Sequence, residues 1–428
     1  MKKNSYSVLV IGSGGREHTF AWVLSKDQQV KKIYCCPGNG GTERIAENVK
    51  INIGKHEEII SFVKNKKIDL TIVGPELPLA EGIVDSFKKH KLRIFGPDAY
   101  CAQLESSKLF ARDLMSTNNI PHPKYFKCSN KIQAQKYKDV LGFPLVLKAD
   151  GLAAGKGVII CNDDQEFNSG INTMFHSKTF GDASKHISLE ECLLGEELSV
   201  FAICDGKNYK ILNSAQDHKR LKDDDIGPNT GGMGAYSPTS LSNKNLLEEV
   251  GETIIDPTLK AMQKCGHPYL GFLYVGLMLV NNKPYVIEFN VRMGDPETQV
   301  VLPLMKNSLF ELIWSASNQQ LNNYKISNHS KTAVTIVLSL EGYPNKYPKN
   351  IKINGLEKLE DELVFHAGTK LVNGDYLTTG GRVLNVVGFG NNLMSAIENA
   401  YKLAQKIDYK GKYFRKDIGR RGLKYQGV

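Results

Sequence analysis

No stretch of this chain stays apolar for the roughly 20 residues that a bilayer-spanning helix needs. The opening residues, Met1 to Ser7, run straight into a strand-like segment without the apolar core and small-residue cleavage site of a signal peptide, so a cytoplasmic location is the expectation. Cysteine is present but unpatterned. Cys35 and Cys36 are adjacent, and Cys101, Cys128, Cys161, Cys192, Cys204 and Cys265 are scattered. That argues for buried thiols in a reducing compartment and against a disulfide framework or a zinc site. The net charge of +10 lacks aromatic interleaving or a nucleic-acid module. It reads as a solvated basic surface that attracts anionic small molecules, with neither nucleic acid nor membrane as partner.

What is there is a soluble, globular composition of 41% hydrophobic and 23% charged residues over 428 positions, enough for about three domains. The first hundred residues alternate strand and helix patterns: strands at Val8–Ile11, Lys31–Cys35, Leu70–Val73 and Arg93–Phe95, with helices between. This predicts a doubly wound α/β domain with a parallel sheet over 1–104. Its strands end in turns rich in glycine or proline (12–15, 37–41, 74–76, 96–98), and ligands of open α/β sheets gather beyond such ends. From about Ser106, which is expected to cap the helix Lys108–Met115, longer helices and hairpin-like strands take over through residue 328. The polar run 318–331 reads as a linker, and residues 329–428 as a smaller α+β domain with a strand at Ala333–Ser339 and a helix at Leu393–Ile407.

The segment Pro284 to Arg292 carries the densest chemistry. Alternation along a strand puts Glu288, Asn290 and Arg292 on one face and Ile287, Phe289 and Val291 on the other. A carboxylate and an amide oxygen suit a hard cation such as Mg²⁺, whose remaining ligands phosphates can supply. The neighbouring guanidinium suits a carboxylate or phosphoryl group. Alone, the strand is equally an amphipathic surface strand with a chance ion pair.

Lys148-Ala149-Asp150-Gly151-Leu152-Ala153-Ala154-Gly155-Lys156-Gly157 joins two strands by a loop with three glycines and two lysines, suited to phosphate oxygens. It lacks the Ser or Thr and the following helix of a Walker A loop. The run Glu190 to Glu197 turns at Gly195 between two strands. Gln216 to Arg220 supplies an acid and bases, among them His218, read as structural, and Gly227 to Gly234 is a second phosphate-like turn. Gly12-Ser13-Gly14-Gly15-Arg16-Glu17 follows a strand and opens a helix, but Glu17 stands where the third glycine of a dinucleotide fingerprint belongs. NAD is therefore not expected, and the turn is read as a cradle for one phosphate at a helix N-terminus.

Taken in order along the chain, these segments resemble the ATP-grasp ligases, and most closely the branch that couples glycine to 5-phosphoribosylamine. The similarity runs from Val10–His18 through Pro37–Thr42, Gly74–Glu76, Lys148–Val158 and Asn229–Pro238 to Arg292–Gln299, nearly the whole chain. It implies a central ATP-grasp domain over 105–328, with a small mobile lid at about 124–193. It also implies ATP and Mg²⁺ (or Mn²⁺) as cofactors, and a glycyl phosphate intermediate leading to glycinamide ribonucleotide in purine biosynthesis.

By analogy Glu288 and Asn290 hold the metal and Arg292 steadies the glycyl phosphate. Lys108, Lys148, Gly151, Gly155, Lys156 and Gly157 hold phosphates. Glu191 and Leu193 read adenine through their backbone, Glu190 is oriented nearby, and Glu197 meets the ribose. Asp217 and Asp295 face the substrate amines. Gly14, Gly15, Arg16, Glu17, Pro37, Gly38, Asn39, Gly40 and Gly294 meet the phosphoribosyl side. The strand 273–277 offers no second metal carboxylate. The chain ends soon after the third domain, so the single-activity form is expected rather than a fused multifunctional enzyme, and a monomer is expected as well. Another ATP-grasp carboxylate–amine ligase, or a non-catalytic nucleotide- or RNA-binding protein, stands as the alternative.

Overall fold

The computed structural model describes residues 5–152, 157–176, 186–359 and 362–425. The N-terminal strands Glu47–Asn48, Val30–Pro37, Tyr6–Gly12, Leu70–Val73 and Ile94–Phe95 form a parallel sheet in that order. Near-continuous apolar runs such as Val8-Leu9-Val10-Ile11, all buried, reflect a sheet covered on both faces. Chain order reverses between Tyr6–Gly12 and Leu70–Val73, so the turns after those strands open the crevice of the domain.

Two antiparallel sheets build the middle of the molecule. One joins Tyr209–Ile211, Glu196–Asp205, Leu270–Val280 and Lys283–Asn290. Its last hairpin turns at Asn281 and Asn282, both in the left-handed region (φ 51° and 63°), as a two-residue hairpin loop requires. The other sheet joins Tyr125–Cys128, Ile187–Glu191, Leu145–Ala149 and Val158–Cys161, backed by helices Lys131–Leu141 and Asp164–His176. This second module buries its own small core around Leu145, Leu147, Phe167 and Ile171. The helix Lys108–Thr117 connects the modules. Its cap is Ser107, whose Oγ accepts the Phe110 N–H (3.1 Å), and not the expected Ser106, which ends the preceding helix.

The C-terminal sheet is antiparallel: Gln216–Asp217, Gly234–Ser237, Thr332–Leu340, Arg382–Gly390 and Leu363–His366. Its first two strands come from the central stretch, so the intervening loop 218–233 is anchored in the C-terminal sheet while reaching into the middle of the molecule. The helix Leu393–Lys406, capped by Asn392, buries Leu393, Ala396, Ile397, Ala400, Leu403 and Ala404 at helical spacing against this sheet. Gly388 allows that close approach, since a Cβ there would collide with the backbone of Ala400. Among the described residues no helix is long and apolar enough to cross a membrane.

Candidate active site

A cleft of about 810 Å³ lies between the two central sheets and is closed at one end by the first and last domains. Its floor is the strand Lys283–Asn290. Gly276 opposes Glu288 and Leu277 opposes Val286, leaving Ile287 as an extra, unpaired residue, a β-bulge. Val286, Phe289 and Val291 are buried in the core, but Ile287, expected on that apolar face, is half-buried and lines the cleft. The bulge breaks the alternation there. It also frees the Ile287 carbonyl, which accepts from Arg112 Nη2 (2.8 Å) and Lys148 Nζ (3.0 Å). Glu288, Asn290 and Arg292 all face the cleft.

At one end, Lys148 and Glu190 project from neighbouring strands, diagonally placed, Lys148 opposite Ser188 and Glu190 opposite Val146. Lys148 Nζ lies 2.8 Å from Glu190 Oε2, and Arg112 grips the same carboxylate through Nη2 (2.6 Å) and Nε (2.9 Å). Ser188 Oγ donates to Glu190 Oε1 (2.9 Å), so both oxygens are satisfied. Burial alone would raise the Glu190 pKa, but Arg112 and Lys148 outweigh it and hold the acid well below the carboxylate range. Burial lowers Lys148 to about 8 despite its partner. The walls here are apolar (Val146, Val158, Ile160, Met278), with Glu191, Leu193 and Glu197 along the rim and Gly151 and Gly157 at the loop ends. Gly155 and Lys156, expected at phosphates, lie outside the described residues. Asp150 ties this loop to the helix Lys108–Thr117, accepting from Ser107 Oγ (2.9 Å) and the Leu109 N–H (3.1 Å).

Around Glu288 the charges interlock. Lys219 Nζ sits 3.5 Å from Glu288 Oε1 and 3.1 Å from Glu197 Oε2, and Lys108 Nζ is 4.0 Å from Glu288 Oε2. Burial is overcome by Lys219, Lys108, Lys148 and Arg292, which hold the Glu288 carboxyl down at about 2. Arg292 pairs with Glu105 (2.7 Å) and Glu76 (3.3 Å), and Glu105 also accepts the Val291 N–H (2.8 Å). In the orientation that satisfies its neighbours, the Asn290 amide nitrogen donates to Glu105 Oε1 (3.0 Å) and the Phe289 carbonyl (3.2 Å). Its oxygen is thereby turned away from those acceptors. Asp217 and Glu297 face this region as well, and burial pushes both up. Asp217 reaches about 8, where Lys219 opposes the rise and the charge of Glu297 adds to it.

The first-domain turn is arranged differently from expectation. The Gly14 N–H already donates to Glu17 Oε2 (2.6 Å), and side-chain atoms of Glu17 occupy the space that a Cβ at Gly12 or Gly74 would need. Asp295 accepts from Gln299 Nε2 (2.8 Å) and stands against Gly14. Asn39 donates to the Ser13 carbonyl (2.9 Å) and the His366 carbonyl (2.8 Å), stitching the 37–40 turn to the last domain. Of the residues expected at the phosphoribosyl side, Arg16 lines the cleft, whereas Gly14, Gly15, Glu17, Pro37, Gly38, Asn39, Gly40 and Gly294 do not. The reason is physical: the chain's own carboxylates and amide fill those turns. His218 is fully buried and accepts the Gly419 N–H through Nε2 (3.3 Å), as a structural histidine.

Sequence reasoning missed Arg112, Glu105, Glu297, Tyr343 and Arg382, all brought to or beside the cleft by contacts distant in the chain. Only Glu297 carried a local signal, lying inside the run Arg292 to Gln299.

Models of the phosphoribosylglycinamide synthetase N domain, ATP-grasp (A) domain and C domain match residues 6–105, 106–298 and 333–421. A phosphoribosylamine–glycine ligase of Caldanaerobacter subterraneus is 43% identical over 96% of this chain and 99% of its own length. The trifunctional purine biosynthetic protein adenosine-3 of Gallus gallus is 45% identical over 98% of this chain, which spans 42% of that longer protein. The crystal structure of phosphoribosylamine–glycine ligase from Thermotoga maritima superposes with a TM-score of 0.85 at 33% identity, covering 96% of this chain and all of that one. The chain belongs to the phosphoribosylglycinamide synthetase family.

Proposed function

We propose that the cleft joins glycine to 5-phosphoribosylamine in an ATP-driven ligation, yielding glycinamide ribonucleotide, ADP and phosphate. A glycine carboxylate oxygen attacks the γ-phosphorus of ATP and ADP leaves. The substrate amine then attacks the acyl carbon of glycyl phosphate, loses a proton, and phosphate departs. Phosphoryl transfer needs alignment and charge neutralisation more than a protein nucleophile. The observation that carries this reading is the acid–amide–guanidinium row Glu288, Asn290 and Arg292, in one cleft with Lys108 and Lys148.

Lys148 and Lys108, with the loop 151–157, neutralise phosphates. Arg112 and Glu190 act through Lys148, fixing its position. The backbone of Glu191 and Leu193 meets adenine, and Glu197 the ribose. Arg292, held by Glu105 and Glu76, presents its guanidinium to the glycine carboxylate and the acyl phosphate formed from it. Asp217 and Asp295 receive the amines. The donor set of Glu288, held ionised, and the Asn290 oxygen fits a hard divalent cation, Mg²⁺ with Mn²⁺ as substitute. When bound, such a cation draws negative charge off the ATP phosphates.

The module 124–193 is read as a lid, supported by its separate core, within domains at 1–104, 105–328 and 329–428 of a monomer. ATP should slow hydrogen exchange at the described ends of the 151–157 loop, and exchange unchanged by ATP would refute the lid. The direct test of the function is phosphate release with ATP, glycine and freshly generated phosphoribosylamine. Release that persists when glycine is omitted would sink it.

A further inference from the structure

The amine substrate of the proposed ligation carries a phosphate dianion, and any assignment of its donors rests on that ligation. The two glycine-rich turns at this end of the cleft are poor hosts for it, the first lined by carboxylates and the second with its amides occupied. In the first-domain turn, Glu17 takes the Gly14 N–H, and the carboxylates of Glu17 and Asp295 both stand against Gly14. In the second, the Thr230 N–H donates to the Lys219 carbonyl (2.8 Å), Gly231 to Tyr343 Oη (3.0 Å), Gly232 to Thr230 Oγ1 (3.0 Å) and Met233 to the His218 carbonyl (2.8 Å). A phosphate arriving there would find carboxylates and occupied amides. Placing a dianion against Glu17 and Asp295 would cost Coulomb energy rather than gain it.

The side chains around the second turn are arranged otherwise. Among the described residues of the cleft, Arg220 is the one cation without a carboxylate within 4.0 Å. Arg16, Lys108, Lys148, Lys219, Arg292, Arg382 and Arg421 all have one. Its single side-chain bond runs from Nη1 to the Gly227 carbonyl (2.8 Å), leaving Nε and Nη2 without an acceptor among the described residues. Arg382 reaches over from the C-terminal sheet. Its Nη1 donates to the carbonyls of Gly231 (2.5 Å) and Asp295 (2.7 Å), while Nε and Nη2 likewise have no acceptor among the described residues. Tyr343 Oη accepts from Gly231 and keeps its own proton to donate. Two part-free guanidinium forks and a hydroxyl are the donor set that recognises a phosphate monoester.

We propose that the 5′-phosphate of the amine substrate is held by Arg220 and Arg382 with the Tyr343 hydroxyl, and by neither glycine-rich turn. The two arginines come from the loop 218–233 and from the C-terminal domain, so the phosphate bridges these segments. The dianion supplies the charge that Arg220 lacks. Specificity for a phosphorylated amine over its dephosphorylated form then resides in these side chains.

The test compares 5-phosphoribosylamine with ribosylamine in wild-type protein, Arg220→Gln, Arg220→Lys and Arg382→Gln. Losing charged hydrogen bonds to the phosphate is expected to raise the KM for phosphoribosylamine about ten- to a hundredfold in Arg220→Gln. Ribosylamine turnover should change little, so the wild-type preference for the phosphorylated amine collapses. Arg220→Lys should recover part of it. Ribose 5-phosphate, a stable probe, should compete with the amine in wild-type protein and lose that competition in Arg220→Gln. ATP affinity reports on whether Arg220→Gln folds normally. An unchanged preference, equal losses on both amines, or a rise in the ATP KM instead would overturn the inference while leaving the ligase reading intact. Absence of wild-type turnover with phosphoribosylamine would overturn both.

Discussion

The two ends of the cleft handle charge in opposite ways. Where Lys148, Arg112 and Glu190 meet, every charge has a partner, at 2.6–2.9 Å. At the far end the acids Asp217 and Glu297 crowd together, Lys219 is shared among several carboxylates, and Arg220 has none among the described residues. The first end is complete before any ligand arrives, which preorganises Lys148. The second, on the proposed reading, is left to be completed by an ionised substrate.

The largest effect should come from breaking the paired end. Glu190→Ala strands two buried cations, and a stability loss of about 3–5 kcal/mol is expected in denaturant unfolding. A loss near zero would mean that the three groups are not desolvated together. Next is the strand between the two ends: Glu288→Gln should lower kcat/KM by about 10²–10³ in the phosphate-release assay while leaving the fold intact. Near-normal turnover would remove Glu288 from the site.

A smaller effect is expected from Lys148, whose pKa of about 8 lies below the usual lysine value. Only the protonated form neutralises phosphate, and bound ATP favours that form. ATP affinity should therefore be full below pH 8 and fall about tenfold per pH unit above it, until the higher pKa of the complex is reached. Lys148→Met should bind weakly and lose this slope, and a slope unchanged in that variant would assign it elsewhere. The smallest effect belongs to the exposed pair Lys55–Glu58, 2.6 Å apart and more than half exposed on both sides. Lys55→Ala should leave the unfolding midpoint unmoved, marking what an ion pair contributes without burial.

Residues that sit close together in sequence were legible. Strand alternation put Glu288, Asn290 and Arg292 in a row, and the two strands flanking the 151–157 loop placed Lys148. The parallel first sheet was equally plain from its apolar runs and glycine turns. What escaped depends on contacts far apart in the chain: Arg112 lies 78 residues from Glu190, Glu105 lies 187 from Arg292, and Arg382 lies 151 from Gly231. The Ile287 bulge was hidden for a related reason, since it exists only in the pairing with Leu270–Val280. The surroundings of the first glycine turn were hidden too, since only the folded chain shows Glu17 on the Gly14 N–H and Asp295 beside it.

At the centre of the proposed chemistry, a phosphoryl group moves to glycine's own carboxylate beside Glu288 and Arg292. Turnover with glycine labelled by ¹⁸O in both carboxyl oxygens tests this directly. One labelled oxygen should appear in each phosphate released, carried over as the acyl phosphate bond to carbon breaks. Unlabelled phosphate, with one carboxyl oxygen kept in the amide and the other released to water, would contradict it.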